Sequence, residues 1–189
     1  MEILLNNEKL NLLIAENARL ETSRLILRPI TLADVPAIFN YGSKPSNTRY
    51  VFPMYHNIEE TKLGVANYFI KEPLGKYALE LKETGEMIGS IELRINGISG
   101  EMGYVLNEDF WGKGLMSEAA EALLILGFET LKLPHMCADC LKENIPSQTV
   151  MKKIGMTLEA EIPNERIFEG ELATSLQFGI TKEKYFGRK

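Results

Sequence analysis

The sequence predicts an α+β fold built on one mostly antiparallel sheet, and three observations point to it. First, apolar runs of strand length are separated by compact turn signals: "ETGE" lies between "YALELK" and "MIGSIELRI", and Asn96-Gly97 precedes "EMGYVL". Asn-Gly is the strongest short-range hairpin signal, so these three strands read as an antiparallel meander. Second, segments of helical period such as "LMSEAAEALLILGFETL" interleave with strands instead of following every strand, as a parallel α/β sheet requires. Third, the chain has 189 residues, is 45% hydrophobic and 25% charged, and contains neither an internal repeat nor a linker. That is the size and composition of a single domain with its own core.

Taken in order, "MEILLNNEKLNLLIAENARL" puts Leu10, Leu13, Ile14 and Asn17 at helical spacing, a short amphipathic helix packed on the domain or on a partner. Residues 1–20 are therefore expected to be a helical extension, with the main domain at 21–185. "RLILRPI" is a strand closed by Pro29, which has no N–H to give to a ladder. "TLADVPAIFNYG" opens a helix with Thr31 or Asp34 as cap, and "IEETKLGVANYFI" is a second helix. After the meander and the long helix comes the strand "HMCADCL". "NIPSQTVMKKIG" is a short helix with Asn144 as N-cap, Pro146 in the first turn where its missing N–H costs nothing, and Gly155 at the C-terminal end. The tail alternates, with Leu172, Thr174, Leu176, Phe178 and Ile180 on one face of a last strand that pairs through "PNERIFEGE" with "MTLEAEI".

Composition narrows the function classes. A formal net charge of −5 without long blocks of one sign gives no attraction for polyphosphate, so no nucleic-acid partner is expected. Cys137 and Cys140 lack the second ligand pair of a zinc site, and read as half-buried structural thiols in a reducing compartment. No metal is expected. The N-terminus has neither a basic head nor a small-residue cleavage site, and no apolar run approaches the ~18 residues of a membrane helix, so the expected location is cytoplasmic with no membrane partner.

Two stretches carry chemistry. In "NEDFWGKGLMSE", residues 107–118, Gly112 and Gly114 flank Lys113 behind the only tryptophan, Trp111, and a helix follows. Glycine permits positive φ or lets a backbone N–H approach a ligand, and a helix N-terminus favours anions, so the stretch is an anion cradle or a tight turn that starts a helix. It is not a P-loop, because the lysine precedes the last glycine. In "NIPSQTVMKKIGM", Asn144 and Ser147 are three residues apart and share one helix face, or serve simply as an N-cap and an exposed helix residue.

The order "ETSRLILR", "MIGSIELR", "EMGYVLNEDFWGKGLMSEA", "KENIPSQTVMKKIGM" resembles the GNAT superfamily of acetyl-CoA-dependent N-acetyltransferases, in the branch that includes the ribosomal-protein-alanine acetyltransferases. The resemblance implies a splayed mixed sheet and direct transfer of acetyl from acetyl-CoA to a primary amine, with no covalent intermediate. It implies that the strand ending in Tyr104, Val105 and Leu106 diverges, commonly at a bulge, and offers free backbone groups to the pantetheine arm. Trp111, Gly112, Lys113, Gly114, Leu115, Met116 and Ser117 then hold the pyrophosphate, the glycines keeping Cβ atoms away from it. Asn144 bonds the pantetheine or neighbouring backbone, Ser147 sits near the thioester sulfur, and the N–H near Val105 is the oxyanion donor. Trp111 stands where the wider family has Arg or Gln, Met116 where it has a small residue, and Met151 where many members carry a tyrosine acid. Methionine gives no proton, which leaves Ser147 or a water. Glu101 is the first candidate base, directly or through a water, and Glu92 the second. Lys152 and Lys153 reach the 3′-phosphate or form an ordinary solvated helix face. The acceptor stays open among a protein N-terminus, a polyamine, an amino acid and an aminoglycoside-like drug, with specificity on the helices near 33 to 70 and the loop after Gly97, in a monomer or homodimer. A competing reading, a non-catalytic acyl-CoA-binding sensor or scaffold, is motivated by Met116 and Met151 and opposed by the glycines and the Asn144–Ser147 pair.

Overall fold

The computed structural model describes residues 6–188. The chain runs α1 (Asn7–Glu16), β1 (Leu20–Glu21), β2 (Leu25–Arg28), α2 (Val35–Gly42), α3 (Pro45–Thr48) and α4 (Ile58–Gly64). Next come β3 (Lys76–Leu81), β4 (Met87–Asn96), β5 (Ser99–Leu106), α5 (Leu115–Ile125), β6 (His135–Leu141) and α6 (Ile145–Lys153). It ends with β7 (Thr157–Phe168), β8 (Glu171–Thr181) and α7 (Lys182–Gly187). Helices α4 and α5 continue with π-type bonding over Val65–Ile70 and Leu126–Thr130.

Local chemistry explains most boundaries. A capping box joins Thr31 and Asp34 ahead of α2, and the Asn6 and Asn144 side chains cap α1 and α6. Gly97 makes the β4–β5 turn at φ +62°, and Gly155 ends α6 at φ +84°, both in the left-handed region.

All described strands join one sheet in the order β1-β2-β3-β4-β5-β6-β8-β7. Every pairing is antiparallel except β5 with β6, which is parallel and limited to Ser99↔His135, Gly100↔Met136 and Glu101↔Cys137. A Cβ at Gly100 would collide with Met136 and come within 2.9 Å of Leu133 and Leu93, so the two strands touch closely at that end. Beyond Glu101 they part. The β4–β5 ladder stays in register from Asn96↔Ser99 to Gly89↔Leu106, so the divergence needs no bulge in β5; the register shifts lie in β3–β4 and β7–β8. This corrects the expected bulge: β5 follows β4 along its whole length and simply leaves β6.

Helices cover both faces. One core cluster joins α1, α5 and α7 to the sheet through Leu10, Ile14, Leu123, Phe128 and Tyr185; the other packs Val35, Ile38 and Tyr41 of α2 on Ala78, Met87 and Val105. Alternate residues of β3 divide between them, Tyr77 and Leu79 to the first and Ala78 to the second, as period-2 geometry requires. Helix α1 packs on the domain, and the Tyr77 hydroxyl donates to Asn17 O at 3.1 Å. In the tail, Leu176, Phe178 and Ile180 are buried, whereas Leu172 on the same strand is 66% exposed because the β7–β8 hairpin projects past the last β6 pairing, Leu141↔Ser175.

Candidate active site

Where β5 leaves β6, a cleft opens with a cavity on each side. The first, of about 710 Å³, is walled by the end of β5, the turn at 111–114 and the starts of α5 and α6. Trp111 explains itself here: its indole N–H donates to Leu106 O at 2.7 Å, fastening the turn to the strand end, and Asn47 Nδ2 donates to the same carbonyl at 2.6 Å. Gly112 and Gly114 both adopt φ +75°. A Cβ at Gly112 would meet nothing, so glycine is required there by conformation rather than by clearance. A Cβ at Gly114 would lie 3.3 Å from Lys153 Nζ and 3.8 Å from an Arg24 guanidinium nitrogen. Two cationic groups therefore face the small space before α5, to which the helix dipole adds positive potential, so the site fits a phosphate-bearing ligand.

Leu115, Met116 and Ser117 line this cavity, Met116 almost fully buried. Lys113, by contrast, does not line this cavity: its ammonium donates to Asp109 O at 3.0 Å and lies over the Phe110 ring, and its carbonyl accepts from Arg24 at 2.9 Å. Lys152 points to the Phe178 ring, leaving Lys153 as the lysine at the cradle. Glu118, which the sequence reading did not single out, holds the assembly together. It accepts from Thr22 Oγ1 at 2.6 Å, Ser23 Oγ at 2.9 Å, Arg24 N at 2.8 Å and Arg24 Nε at 2.6 Å. Burial raises its pKa, but these donors outweigh burial and bring it down to about 2. Its signal was present: an acid in the first turn of the helix after two glycines.

The second cavity, of about 420 Å³, shares Tyr50, Val51, Tyr104, Val105, Asn144 and Ser147 with the first. At the junction the Tyr104 hydroxyl lies 2.9 Å from Ser147 Oγ and donates to Ser147 O at 3.1 Å. Burial pushes the Tyr104 phenol well above its ordinary range, so it keeps its proton. Asn144 Oδ1 accepts from Ser147 N at 3.2 Å, bonding neighbouring backbone and fixing Ser147 in the first turn of α6. Met151 is fully buried in the core, away from both cavities. Cys140 lies beside Ser147, and burial pushes its thiol up to about 11, which keeps it un-ionised; Cys137 is raised alike.

Two carboxylates were expected near the reacting centre, and the structure brings one of them to the cavity. Glu92, 8% exposed, accepts from the Tyr68 hydroxyl at 2.9 and 2.8 Å on its two oxygens and from Arg94 at 2.6 Å. Burial first, then the hydrogen bond to Glu92 and its charge, push the Tyr68 phenol up to about 12, so it remains a donor. Gly103 is Glu92's partner in the ladder, and a Cβ there would stand 2.9 Å from Glu92 Oε1. Glu101 instead pairs with Arg94 at 2.6 Å where β5 is still joined to β6, and it lines neither cavity.

The sequence pattern of the acetyltransferase (GNAT) domain family matches residues 24–157. The N-acetyltransferase YnaD of Bacillus subtilis (strain 168), itself uncharacterised, is 34% identical over 140 residues, 73% of this chain and 82% of that protein. The spermidine N(1)-acetyltransferase of Escherichia coli (strain K12) is 24% identical, covering 84% of this chain and 87% of its own. A crystal structure of a GNAT-family acetyltransferase from Bacillus anthracis superposes with a TM-score of 0.79 at 28% identity, over 87% of this chain and 99% of that one. Among the described residues no helix is long and apolar enough to cross a membrane.

Proposed function

The chain belongs to the GNAT acetyltransferase family and is an acetyl-CoA-dependent acetyltransferase; on that premise we propose that it acetylates a primary amine by direct transfer within one ternary complex. The observation that carries this reading is the wall that the two cavities share at Tyr104 and Ser147, across which a donor held in one would meet an acceptor held in the other. Acetyl-CoA supplies an acetyl group already activated as a thioester. Gly114, Lys153 and the first amides of α5 would hold its phosphates, and Tyr104 to Leu106 its pantetheine arm.

On the acceptor side, Glu92 takes the proton that an amine must lose before it attacks, and Tyr68 holds the carboxylate in place from both oxygens. At the junction, Ser147 Oγ supports the departing sulfur with its proton, and Tyr104, which keeps its own, orients that hydroxyl. The N–H near Val105 is the donor to the oxyanion. Holding both substrates across one wall supplies much of the acceleration by proximity. The names of YnaD, an N-acetyltransferase, and of the spermidine enzyme support an amine as the acceptor class.

The test is a panel of amines (a polyamine, amino acids, an aminoglycoside and a peptide with a free N-terminus), with release of free CoA and mass of the product as readouts. At least one amine is expected to turn over. Ser147→Ala is expected to lower turnover about 10²-fold while changing acetyl-CoA affinity little. Tight acetyl-CoA binding with no acetylated product from any amine would instead favour the scaffold reading.

A further inference from the structure

A strap of chain, residues 44–52, crosses the cleft and walls three hollows. Asn47, Arg49 and Tyr50 face the first cavity, and Tyr50, Val51 and Phe52 face the acceptor cavity. Arg49 and Phe52 also face an outer hollow of about 690 Å³, whose far wall is Ile167–Glu169 at the tip of the β7–β8 hairpin. The ends of the strap are anchored differently. Asn47 is 4% exposed and makes two bonds to the main chain, Nδ2 to Leu106 O at 2.6 Å and Oδ1 from Glu108 N at 3.2 Å. The other end is held by surface groups. Arg49 forks onto Glu169 through two bonds of 2.8 Å, with side chains 51% and 57% exposed. Tyr50 stacks on Phe168 with ring centroids 5.3 Å apart, and the Arg49 guanidinium lies 5.3 and 5.6 Å from the two rings.

This latch stands between the acceptor cavity and the outer hollow: Phe52 lines both, while Tyr50 and Arg166 line the acceptor cavity and their chain neighbours Arg49 and Ile167 line the outer hollow. Glu169 occupies the hairpin turn at φ +52°, an unfavourable conformation for a residue other than glycine, and Gly170 follows at φ +87°. The two-residue turn fixes Glu169 at the hairpin tip, where its carboxylate meets Arg49. On the reading of the inner cavity as the amine site, we propose that the Arg49–Glu169 latch sets acceptor size. Closed, it admits an amine on a compact molecule. An amine at the end of a polypeptide needs the outer hollow as an exit for its chain and enters only when the latch swings out about the buried Asn47 anchor.

An exposed ion pair and one ring stack bias acceptor choice by about tenfold, and the ion-pair part is screened by salt. The experiment takes the panel's best small amine and an uncharged ten-residue peptide with a free N-terminus, and compares kcat/KM for the two. Wild type is expected to favour the small amine by about tenfold or more, and Glu169→Gln to shift that ratio several-fold toward the peptide. The charge swap Arg49→Glu with Glu169→Arg should restore the preference. High salt should relax the ratio in wild type but not in Glu169→Gln, while calorimetry finds acetyl-CoA affinity unchanged in Glu169→Gln. A wild type that takes the peptide as readily as the small amine, or a ratio unmoved by Glu169→Gln and by salt, overturns the latch. Absence of turnover with every amine, acetyl-CoA still binding, overturns the acetyl-transfer reading and the latch with it.

Discussion

The two cavities meet at one pair of hydroxyls yet are made of different material. The first has a floor of backbone, namely a strand end, two left-handed glycines and the N-termini of two helices, all within 104–117 and 144–153, with the strap as its remaining wall. The second is built from side chains that arrive from α2, the strap, residues 68–69, β4, β6 and β7. A site made of backbone geometry must recruit glycines, caps and helix starts in fixed local order, whereas a site made of side chains draws on residues far apart in sequence. The first therefore answers to conformational substitutions and the second to chemical ones.

The largest expected effect tests the side-chain cavity. Glu92→Gln should lower kcat by about 10²-fold, most at low pH where the amine is protonated, with acetyl-CoA affinity intact. Glu101→Gln, which removes only a partly exposed pair with Arg94, should remain within about threefold of wild type. A pH profile in which the two variants fall together, or in which Glu101→Gln falls alone, breaks the assignment of the base to Glu92.

An intermediate effect tests the backbone cavity. Gly114→Val forces a β-branched residue to φ +75° and sets its Cβ against Lys153 Nζ. Acetyl-CoA should bind at least about tenfold more weakly in calorimetry. A folded Gly114→Val protein of unchanged affinity would remove the phosphates from this turn.

The smallest effect sharpens the comparison by asking what holds the backbone cavity in shape. Glu118→Gln should cost about 1 kcal/mol of stability, a charged-acceptor contribution discounted for the exposure of Arg24 and Ser23. The folded-state pKa of Glu118, about 2, lies below its ordinary value of 4.5, so its contribution is complete above that value and is lost as pH falls toward 2. Melting curves of wild type and Glu118→Gln should accordingly converge between pH 4.5 and 2. A difference that is independent of pH would show that the carboxylate charge is not what ties α5 to residues 22–24.

Legibility followed the same division. Trp111 to Gly114, and Asn144 with Ser147, were visible because turn, cap and helix start occupy consecutive residues. Glu101 was placed ahead of Glu92, and nothing local could correct that order, since Glu92↔Gly103 and Arg94↔Glu101 are alternate rungs of one ladder and a period of two puts all four on one face. Gly103 decides between them by leaving room for the Glu92 carboxylate, while Arg94 takes up Glu101. Tyr68 and Arg24 carried no signal, because a tyrosine in an amphipathic helix and an arginine before a strand are ordinary residues until their partners are known. The exposure of Leu172 was not legible, because alternation shows which face a side chain takes but not how far the partner strand extends beneath it.

By itself the sequence determined the order of elements, the meander, the glycine turn ahead of α5 and the cap of α6. These depend on backbone dihedrals and on periods of 2 and 3.6 residues, which a few neighbouring residues express in full. Tertiary structure alone decided that β5 leaves β6 after Glu101, that Glu92 faces the cavity, and that Arg49 meets Glu169 across a separation of 120 residues. Such meetings depend on where strands end and on which of many chemically equivalent carboxylates and arginines the closed chain brings together, and no local pattern encodes that choice.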